Sequence, residues 1–337
     1  MIHSMPVPEE LVGCRFDVAI SQLRNISRSK ASNLITQGIV KLSNRKANKS
    51  SILLDTDEIV FFETLSKTVR SEVNKTEEST TEESTTEEFA ESKNSYETQE
   101  WQNIEQSMTI AYEDEDIVVI DKPVGMAAHA ASGWCGPTVN EALKKRGIKI
   151  TTTLGEENRR GIVSRLDVGT SGLMLVCKTD IAYTVMKQQF AQHSVIKTYH
   201  ALVQGDLSQD KATIEAPIGR AKVSDFRFTI TSDGKPAVTH WDVLERFGRA
   251  TLASVNLETG RTHQIRVHFT SIGHPLVGDS MYGANPVLAK NLGLSRQWLH
   301  SMELTFTHPT TGKTVTLKSQ YPSDLQHALE AMRALSK

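Results

Sequence analysis

Short apolar runs and helix-spaced apolar positions follow one another along the second half of the chain. Runs of four or five residues rich in β-branched and aromatic side chains predict strands, whereas apolar positions three or four residues apart predict helices. The predicted strands are Ile117–Ile120, Leu173–Val176, Tyr199–Val203, Ala253–Leu257 and Ile265–Phe269, and the predicted helices cover 138–146 and 181–192. Because the strands are grouped unevenly with few helices between them, the pattern predicts an α+β fold.

A smaller set of elements is predicted within residues 1–62. Ser27 is a suitable N-cap for a helix, and Gly38 is placed to end that helix. The runs Ile39–Leu42 and Asp57–Phe61 then predict two strands. These residues together predict a small compact domain.

Residues 63–107 lack a consistent apolar period. They contain a near-repeat of TEEST and few apolar side chains, so they cannot bury enough surface to offset the entropy of ordering. We therefore predict an acidic flexible linker at 63–107, which joins the domain 1–62 to a larger domain at 108–337.

The net charge of −2 is distributed unevenly along the chain. Residues 1–62 carry 8 basic and 6 acidic side chains, 63–107 carry 4 and 12, and 108–337 carry 26 and 22. Both flanking domains are therefore mildly basic, which permits RNA binding without demonstrating it.

Composition and motifs argue against several other classes of protein. No apolar run approaches the roughly 20 residues that cross a bilayer, and the N-terminal sequence lacks the pattern of a signal peptide. Cys14, Cys135 and Cys177 are widely spaced and form no CxxC pair, so neither a disulfide framework nor a zinc site is indicated. GxGxxG and P-loop motifs are also missing. We expect a cytoplasmic protein without a nucleotide cofactor or a membrane contact.

The segment GIVSRLDVGTSGLMLVCKT, residues 161–179, places polar residues on a turn between two apolar runs. Such a turn is a common way to present a reactive group, and Arg165 and Asp167 are its charged members. Asp and Gly are also ordinary turn residues, so the pattern alone allows Asp167 to be a cap for backbone amides.

Two further segments carry candidate functional residues. Tyr199 in KTYHALVQG suits stacking on a base, although a place in the core is the commoner case for an isolated strand Tyr. Arg266 in TGRTHQIRVH suits an active-site wall, because alternation in the predicted strand places Gln264, Arg266 and His268 on one face; it also suits a structural ion pair.

A metal site is a third interpretation of the histidine-rich region. His263, His268, His274 and Asp279 include metal-ligating residue types. Their spacing fits no usual zinc pattern, and no HExxH motif or cysteine cluster accompanies them. We predict no metal site.

The motif RLDVGTSGL at 165–173 resembles the RLDxxTSGL signature of the ribosomal large-subunit pseudouridine synthase family of the RluA/RluD type. The resemblance extends over most of 110–320, through DKPVGMAAHA, KTYHALVQG, NLETGRTHQIRVHFTSIGHPLVGDSMYG and LHSMELTFTHP. It implies a catalytic domain with a mixed, largely antiparallel central sheet flanked by helices. The family usually has His before the signature, where this chain has Ser164.

By this resemblance, Asp167 is the catalytic carboxylate, Arg266 is its ion-pair partner, and Arg165 helps to hold the RNA open around the target. Tyr199 is the candidate for stacking on the extruded base. The resemblance also implies a reaction without a cofactor, since isomerisation neither oxidises the substrate nor adds a group. We further predict RNA contacts for Lys197 and Arg261.

The first domain resembles the small S-four-like, or alpha-L, RNA-binding domain. The matching pieces are RFD at 15–17, SRSKASNLITQGIV at 27–40 and DTDEI at 55–59. LSNRK replaces the Val-Asn-Gly-Lys turn that is usual in that family. The predicted RNA contacts in this domain are Arg28, Lys30, Arg45 and Lys46.

The sequence therefore predicts a monomeric RNA pseudouridine synthase that acts on large-subunit (23S) ribosomal RNA. It leaves open whether Asp167 attacks the sugar, attacks the base or abstracts a sugar proton. Two alternatives belong to other functional classes. One is an RNA-binding protein on an inactive synthase scaffold, against which the intact set of Asp167, Tyr199 and Arg266 argues. The other is a metal-dependent phosphodiesterase, which a strong chelator would inactivate.

Overall fold

The structure is a computed structural model that describes most of the chain. The described residues are 2–8, 11–24, 28–36, 38–43, 45–62, 101–129, 134, 136–222 and 225–336. Ser27 and residues 63–100, which make up most of the predicted linker, lie outside this description.

The N-terminal elements form a three-stranded antiparallel sheet with two helices. They are β1 (Ile2–Pro6), α1 (Phe16–Arg24), α2 (Arg28–Thr36), β2 (Val40–Leu42) and β3 (Glu58–Phe62), with strand order β1-β3-β2. These elements enclose a separate apolar core, which includes Phe16, Ile20, Leu53 and Ile59. The helix ends as predicted, because Gly38 adopts φ +71° and its amide bonds to the Ile35 carbonyl. Both predicted strands are confirmed.

The rest of the described chain is mixed α and β, with short 3₁₀ helices at Glu157–Arg159 and Ser280–Tyr282. In chain order its elements are α3 (101–107), β4 (Thr109–Glu113), β5 (Ile117–Lys122), α4 (Val139–Lys145), β6 (Ser171–Cys177), α5 (Asp180–Ala191), β7 (Ile196–Gln204), β8 (Lys211–Glu215), β9 (Ile218–Lys222), β10 (Asp225–Ile230), β11 (Val238–Arg246), β12 (Ala250–Leu257), α6 (Gln264–Ser271), α7 (Pro286–Asn291), β13 (Leu299–Thr307), β14 (Thr314–Lys318) and α8 (Ser323–Leu335). The sequence assigned α3 to the linker, but these residues are helical and Glu105 is buried.

Nine of these strands form one sheet, in the order β4-β5-β6-β13-β7-β12-β11-β8, with β14 paired to β13. β13 pairs in parallel with β6, and the other pairs of this sheet are antiparallel. The predicted mixed, largely antiparallel sheet flanked by helices is confirmed. β9 and β10 form a separate hairpin.

The central strands are buried on both faces of the sheet. Every residue of β6 is buried, and its alternate side chains enter two different apolar clusters. Met174 and Val176 pack with the cluster that contains Phe269, whereas Leu173 and Leu175 pack with Met186 of α5. This two-sided burial explains why β6 is a continuous apolar run. Among the described helices, none is long and apolar enough to cross a bilayer.

The predicted strand Ile265–Phe269 is wrong, since these residues belong to helix α6. All of 264–269 are buried, so the alternation of polar and apolar residues does not separate an inner from an outer face. A short run of this kind does not distinguish a strand from a buried helix by its period. Gln264, Arg266 and His268 therefore do not share one strand face.

Candidate active site

A cleft with a volume of about 590 Å³ lies where the signature turn, the start of β7 and the start of α6 meet. Its lining includes all six residues predicted to act in the larger domain: Arg165, Asp167, Lys197, Tyr199, Arg261 and Arg266. Ser164, which replaces the usual His, also lines it. The fold thus brings together segments that are far apart in sequence.

Asp167 lies in a turn that is braced by backbone hydrogen bonds. The amide of Thr170 donates to the Asp167 carbonyl over 3.0 Å, and the amide of Gly125 donates to the Val168 carbonyl over 3.0 Å. Directly after the turn, Gly172 has φ +113°, and a Cβ there would lie 2.3 Å from the Ser301 carbonyl oxygen. Only glycine permits this close approach of two backbones. The carboxylate of Asp167 faces the cleft with 14% of its side chain exposed.

Arg266 is held by two carboxylates at once. Its Nε and Nη2 donate to Asp279 over 2.7 and 3.0 Å, a bidentate pair. Its Nη1 donates to Asp167 Oδ2 over 3.4 Å. The side chain of Arg266 is only 6% exposed. The predicted contact between Arg266 and Asp167 is present, and Asp279 fixes the guanidinium that makes it.

Burial and charge act in opposite directions on Arg266. Burial alone lowers the pKa of its guanidinium, but the carboxylates of Asp279 and Asp167 raise that pKa, and the net result is well above the ordinary value. The guanidinium carbon also lies 4.9 Å from the centroid of the Tyr282 ring. Arg266 is therefore a permanent cation beside Asp167.

The start of α6 is fixed by side-chain hydrogen bonds. His263, its N-cap, has φ +56°, and its Nδ1 lies 2.8 Å from the Tyr282 hydroxyl. The Gln264 side chain accepts from the Thr259 hydroxyl and the Arg261 amide over 2.7 and 3.0 Å. These contacts hold the loop before α6 against the helix, so Arg266 enters the cleft from a rigid support.

Asp279 and Tyr282 are contributions that sequence reasoning missed. In the sequence analysis Asp279 was considered only as a metal ligand, and Tyr282 was quoted only as part of the family resemblance. The sequence did contain a hint of this pairing. Asp279 follows Arg266 by 13 residues in an otherwise largely apolar stretch, and a buried arginine needs a carboxylate partner.

Tyr199 lines the cleft from β7 while most of its surface is buried. Burial raises the pKa of its phenol, the charge of Asp167 raises it further, and a hydrogen bond with Ser301 opposes the rise. Tyr199 is thus a neutral phenol with its ring at the cleft and a carboxylate nearby.

Three cationic side chains line the cleft that contains the carboxylate. Arg165 is exposed at the cleft. Lys197 lies with its amine 5.7 Å from the centroid of the Phe190 ring, and burial lowers the pKa of that amine. Arg261 donates from Nε to the Pro236 carbonyl over 3.0 Å, which fixes its direction. Together they make the cleft suitable for an anionic ligand.

The four N-terminal residues predicted to bind RNA differ in their surroundings. Arg45 pairs with buried Asp57 over 2.6 Å, and Arg28 pairs with buried Asp17 over 3.0 Å. Lys46 is exposed. Lys30 lies in α2, and its side chain is outside the described part. Arg45 therefore stabilises the domain, while Lys46 is open to a ligand.

The residues once considered as metal ligands have other partners. His274 donates from Nδ1 to the Gln204 carbonyl, and His268 donates from Nε2 to the Ala216 carbonyl. His263 contacts Tyr282, and Asp279 pairs with Arg266. In the part of the chain that the structure describes, no group of three or more His, Cys, Asp or Glu is arranged to hold a metal ion.

Comparison with known proteins gives consistent results. A family model described as RNA pseudouridylate synthase matches residues 116–271. An uncharacterized RNA pseudouridine synthase of Mycobacterium bovis is 46% identical over 98% of both chains. The ribosomal large subunit pseudouridine synthase D of Nitrosomonas europaea is 36% identical over 98% of this chain and 88% of its own. Among solved structures, human RNA pseudouridylate synthase domain containing 1 aligns with a TM-score of 0.53 and 25% identity, covering 68% of this chain and 96% of its own.

Proposed function

The chain belongs to the RNA pseudouridylate synthase family, and from that premise we propose that it converts uridines of large-subunit ribosomal RNA to pseudouridine with Asp167 as the catalytic carboxylate. It is an RNA pseudouridine synthase, an isomerase. The proposed role of Asp167 depends chiefly on one observation, namely a carboxylate in a cleft whose Oδ2 lies 3.4 Å from a buried arginine.

The choice of ribosomal RNA rests on the relatives. The relative from Nitrosomonas europaea, which aligns with almost the whole chain, is named for the ribosomal large subunit. The cationic cleft suits any RNA. The choice of ribosomal RNA therefore concerns which RNA is modified, and it does not affect the proposed reaction. The same proposal includes action as a monomer in the cytoplasm, where ribosomal RNA is available.

The reaction breaks the bond between N1 of uracil and C1′ of the ribose, turns the base, and joins C5 to C1′. The proton on C5 leaves and N1 gains one, so the atoms balance without an oxidant or a second substrate. Attack on the sugar, attack on the base and abstraction of a sugar proton all require an ionised carboxylate at the target. Asp167 supplies that group in each case.

Arg266 orients this carboxylate. Its Nε and one of its Nη atoms are occupied by Asp279, so only its Nη1 is directed at Asp167. Both charged groups, Arg266 and Asp167, are largely shielded from water. In such a shielded site a fixed charge interacts more strongly with its neighbour than in bulk solvent. The pair thus presents one carboxylate oxygen to the substrate in a defined direction.

Tyr199 forms the surface on which the detached uracil rests. Stacking of a base on an aromatic ring is worth about 1–3 kcal/mol, enough to retain the base between bond cleavage and rejoining. Because its pKa is raised, Tyr199 acts as a phenol. It can take the C5 proton only if its own hydroxyl proton leaves at the same time, towards an acceptor such as Asp167.

The target uridine must leave its stack to reach this cleft, at a cost of a few kcal/mol. Arg165, Lys197 and Arg261 offset that cost through contacts with phosphates and bases. These three residues are cations of the cleft lining, which supports this proposed role.

A pseudouridine map of cellular RNA, made with and without this protein, tests the proposed target. We expect one or a few positions in 23S ribosomal RNA to lose pseudouridine when the protein is removed. The wild-type gene should restore them, and the Asp167→Asn gene should not. Loss confined to transfer RNA would contradict the proposed target and leave the chemistry intact.

The N-terminal domain, which we propose to be S-four-like, adds a second RNA contact on the same chain. A tethered second contact raises the effective concentration of RNA at the first. Removal of residues 1–62 should therefore weaken RNA binding by about 10–100-fold and leave the single-turnover rate at saturating RNA almost unchanged. Filter binding and single-turnover assays measure the two quantities. Lys46→Glu, at an exposed position of that domain, is the point variant expected to weaken binding in the same direction. Equal affinity of the truncated and complete proteins would contradict a binding role.

A further inference from the structure

A buried guanidinium lies behind the signature turn. Arg296 is 3% exposed, and it does not line the cleft. Its Nη1 donates to the Gly169 carbonyl over 3.1 Å, and its Nη2 donates to the Ser171 hydroxyl over 3.2 Å. Both acceptors lie within four residues of Asp167. Arg296 therefore holds the C-terminal end of the turn that carries the carboxylate by hydrogen bonds.

The residues that follow Arg296 hold the same turn. The Gln297 side chain is so close to Gly169 that a Cβ on that glycine would lie 2.6 Å from Gln297 Oε1. His300 Nδ1 lies 2.9 Å from the Ser171 hydroxyl. Gln297, His300 and Ser171 are buried, so the turn fits against segment 296–300 with little freedom to shift.

The same segment also contacts the partner of Arg266. A Cβ on Gly278, which has φ +86°, would lie 2.0 Å from the Arg296 carbonyl oxygen. The Trp298 amide donates to the Val277 carbonyl over 2.8 Å. Asp279 follows directly in sequence, so segment 296–300 supports both the turn that carries Asp167 and the turn that carries the anchor of Arg266.

The outer half of the Arg296 guanidinium pairs with the C-terminal helix. Its Nε and Nη2 donate to the two carboxylate oxygens of Asp324 over 2.7 and 3.0 Å. Asp324 lies in the first turn of α8, with 37% of its side chain exposed. The Trp298 indole donates to the Leu325 carbonyl over 2.9 Å, which fixes α8 against the same segment.

We propose that Arg296 is a positioning residue for the isomerisation, which with Asp324 couples helix α8 to the turn of Asp167 and sets that carboxylate relative to Arg266. The inference rests on the proposed role of Asp167. Arg296 and Asp324 both lie outside residues 116–271, the part that matches the family model. A planar guanidinium can satisfy a carboxylate, a carbonyl and a hydroxyl together, whereas the single ammonium of a lysine cannot reach all three.

The test compares Arg296→Lys and Asp324→Asn with the wild type in single-turnover assays and in RNA binding. A displacement of about 1 Å at a reacting group can lower a rate by about 100-fold. We expect Arg296→Lys to lower the single-turnover rate at saturating RNA by about 30-fold or more and Asp324→Asn by about 5-fold. The dissociation constant for RNA should stay within about threefold, because neither residue lines the cleft.

Arg333→Gln is the matched control. It removes a different ion pair of the same helix, Arg333 with Glu245 at 2.7 Å, which does not contact the signature turn. Its rate should stay within about twofold of the wild type. A loss of rate in Arg333→Gln equal to that in Asp324→Asn would overturn the inference, because general weakening of α8 would then explain both.

The remaining outcomes separate this inference from the proposed function. If Asp167→Asn is inactive while folded Arg296→Lys keeps a rate within about threefold of the wild type, the positioning role fails and the role of Asp167 stands. If Asp167→Asn turns over, the proposed function itself fails. Should Arg296→Lys not fold, Asp324→Asn decides, and an unchanged rate in that variant overturns the inference.

Discussion

Replacement of Asp167 by Asn should abolish pseudouridine formation, with a single-turnover rate at least about 10³-fold below that of the wild type. The change removes the anion and keeps the shape of the side chain, so the turn and the cleft persist. Each of the three possible roles of the carboxylate needs its negative charge. RNA affinity should remain within about threefold, because the cationic lining of the cleft is unchanged.

Loss of the C5 hydrogen to solvent provides the measurement. RNA labelled with tritium at C5 of uridine releases its label when the new bond forms, and filter binding reports affinity in parallel. Asp242→Asn is the matched control, since Asp242 is an exposed carboxylate on β11 outside the cleft lining. It should retain the wild-type rate. Release of label by Asp167→Asn at more than about one tenth of the wild-type rate would contradict the assigned role.

Replacement of Arg266 by Gln should reduce both activity and stability. We expect the single-turnover rate to fall by about 10²–10³-fold, because Asp167 loses the group that orients it. The free energy of unfolding should fall by about 3–5 kcal/mol, since Asp279 is left as a buried carboxylate without its cation. Urea denaturation and the tritium assay measure the two effects on one preparation.

The double variant Arg266→Gln/Asp279→Asn separates these two effects. Neutralising Asp279 removes the buried unpaired charge, so part of the lost stability should return. The rate should stay low, because no cation then faces Asp167. A double variant with a restored rate would show that Arg266 acts only by neutralising Asp279, and the orienting role would be wrong.

Apolar runs predicted four strands of the large described sheet, namely β5, β6, β7 and β12. β6, for example, is buried along its whole length and therefore reads as a continuous apolar segment. The same reasoning failed at Ile265–Phe269, which belongs to a helix that is buried on all sides. The period of apolar residues identifies the inward face of an element only when its other face is exposed.

The sequence pattern alone could not show which distant side chains meet in the cleft. Asp167, Tyr199 and Arg266 lie on three separate elements, and only the family resemblance suggested that they meet. The pairing of Asp279 with Arg266 was missed because an Asp after Gly is typical of an exposed turn, whereas here it is buried against a guanidinium.

The N-terminal domain shows the same limit for charges. Arg28 and Arg45 were grouped with neighbouring cations as RNA contacts, but both bind buried carboxylates, Asp17 and Asp57. Cations that are close in sequence are easily assigned to one binding surface. The carboxylates that pair with them in the fold lie elsewhere in the sequence and are not visible in that pattern.

If Asp167 is the catalytic carboxylate and Arg266 orients it, a uridine turned out of its helix must face this pair. A crystal structure of the Asp167→Asn protein bound to its RNA substrate is the decisive measurement. We expect the target uridine in the cleft, its ring against Tyr199, and residue 167 within about 3.5 Å of the ribose or the base. A bound RNA whose target uridine remains stacked in its helix, far from residue 167, would contradict these roles.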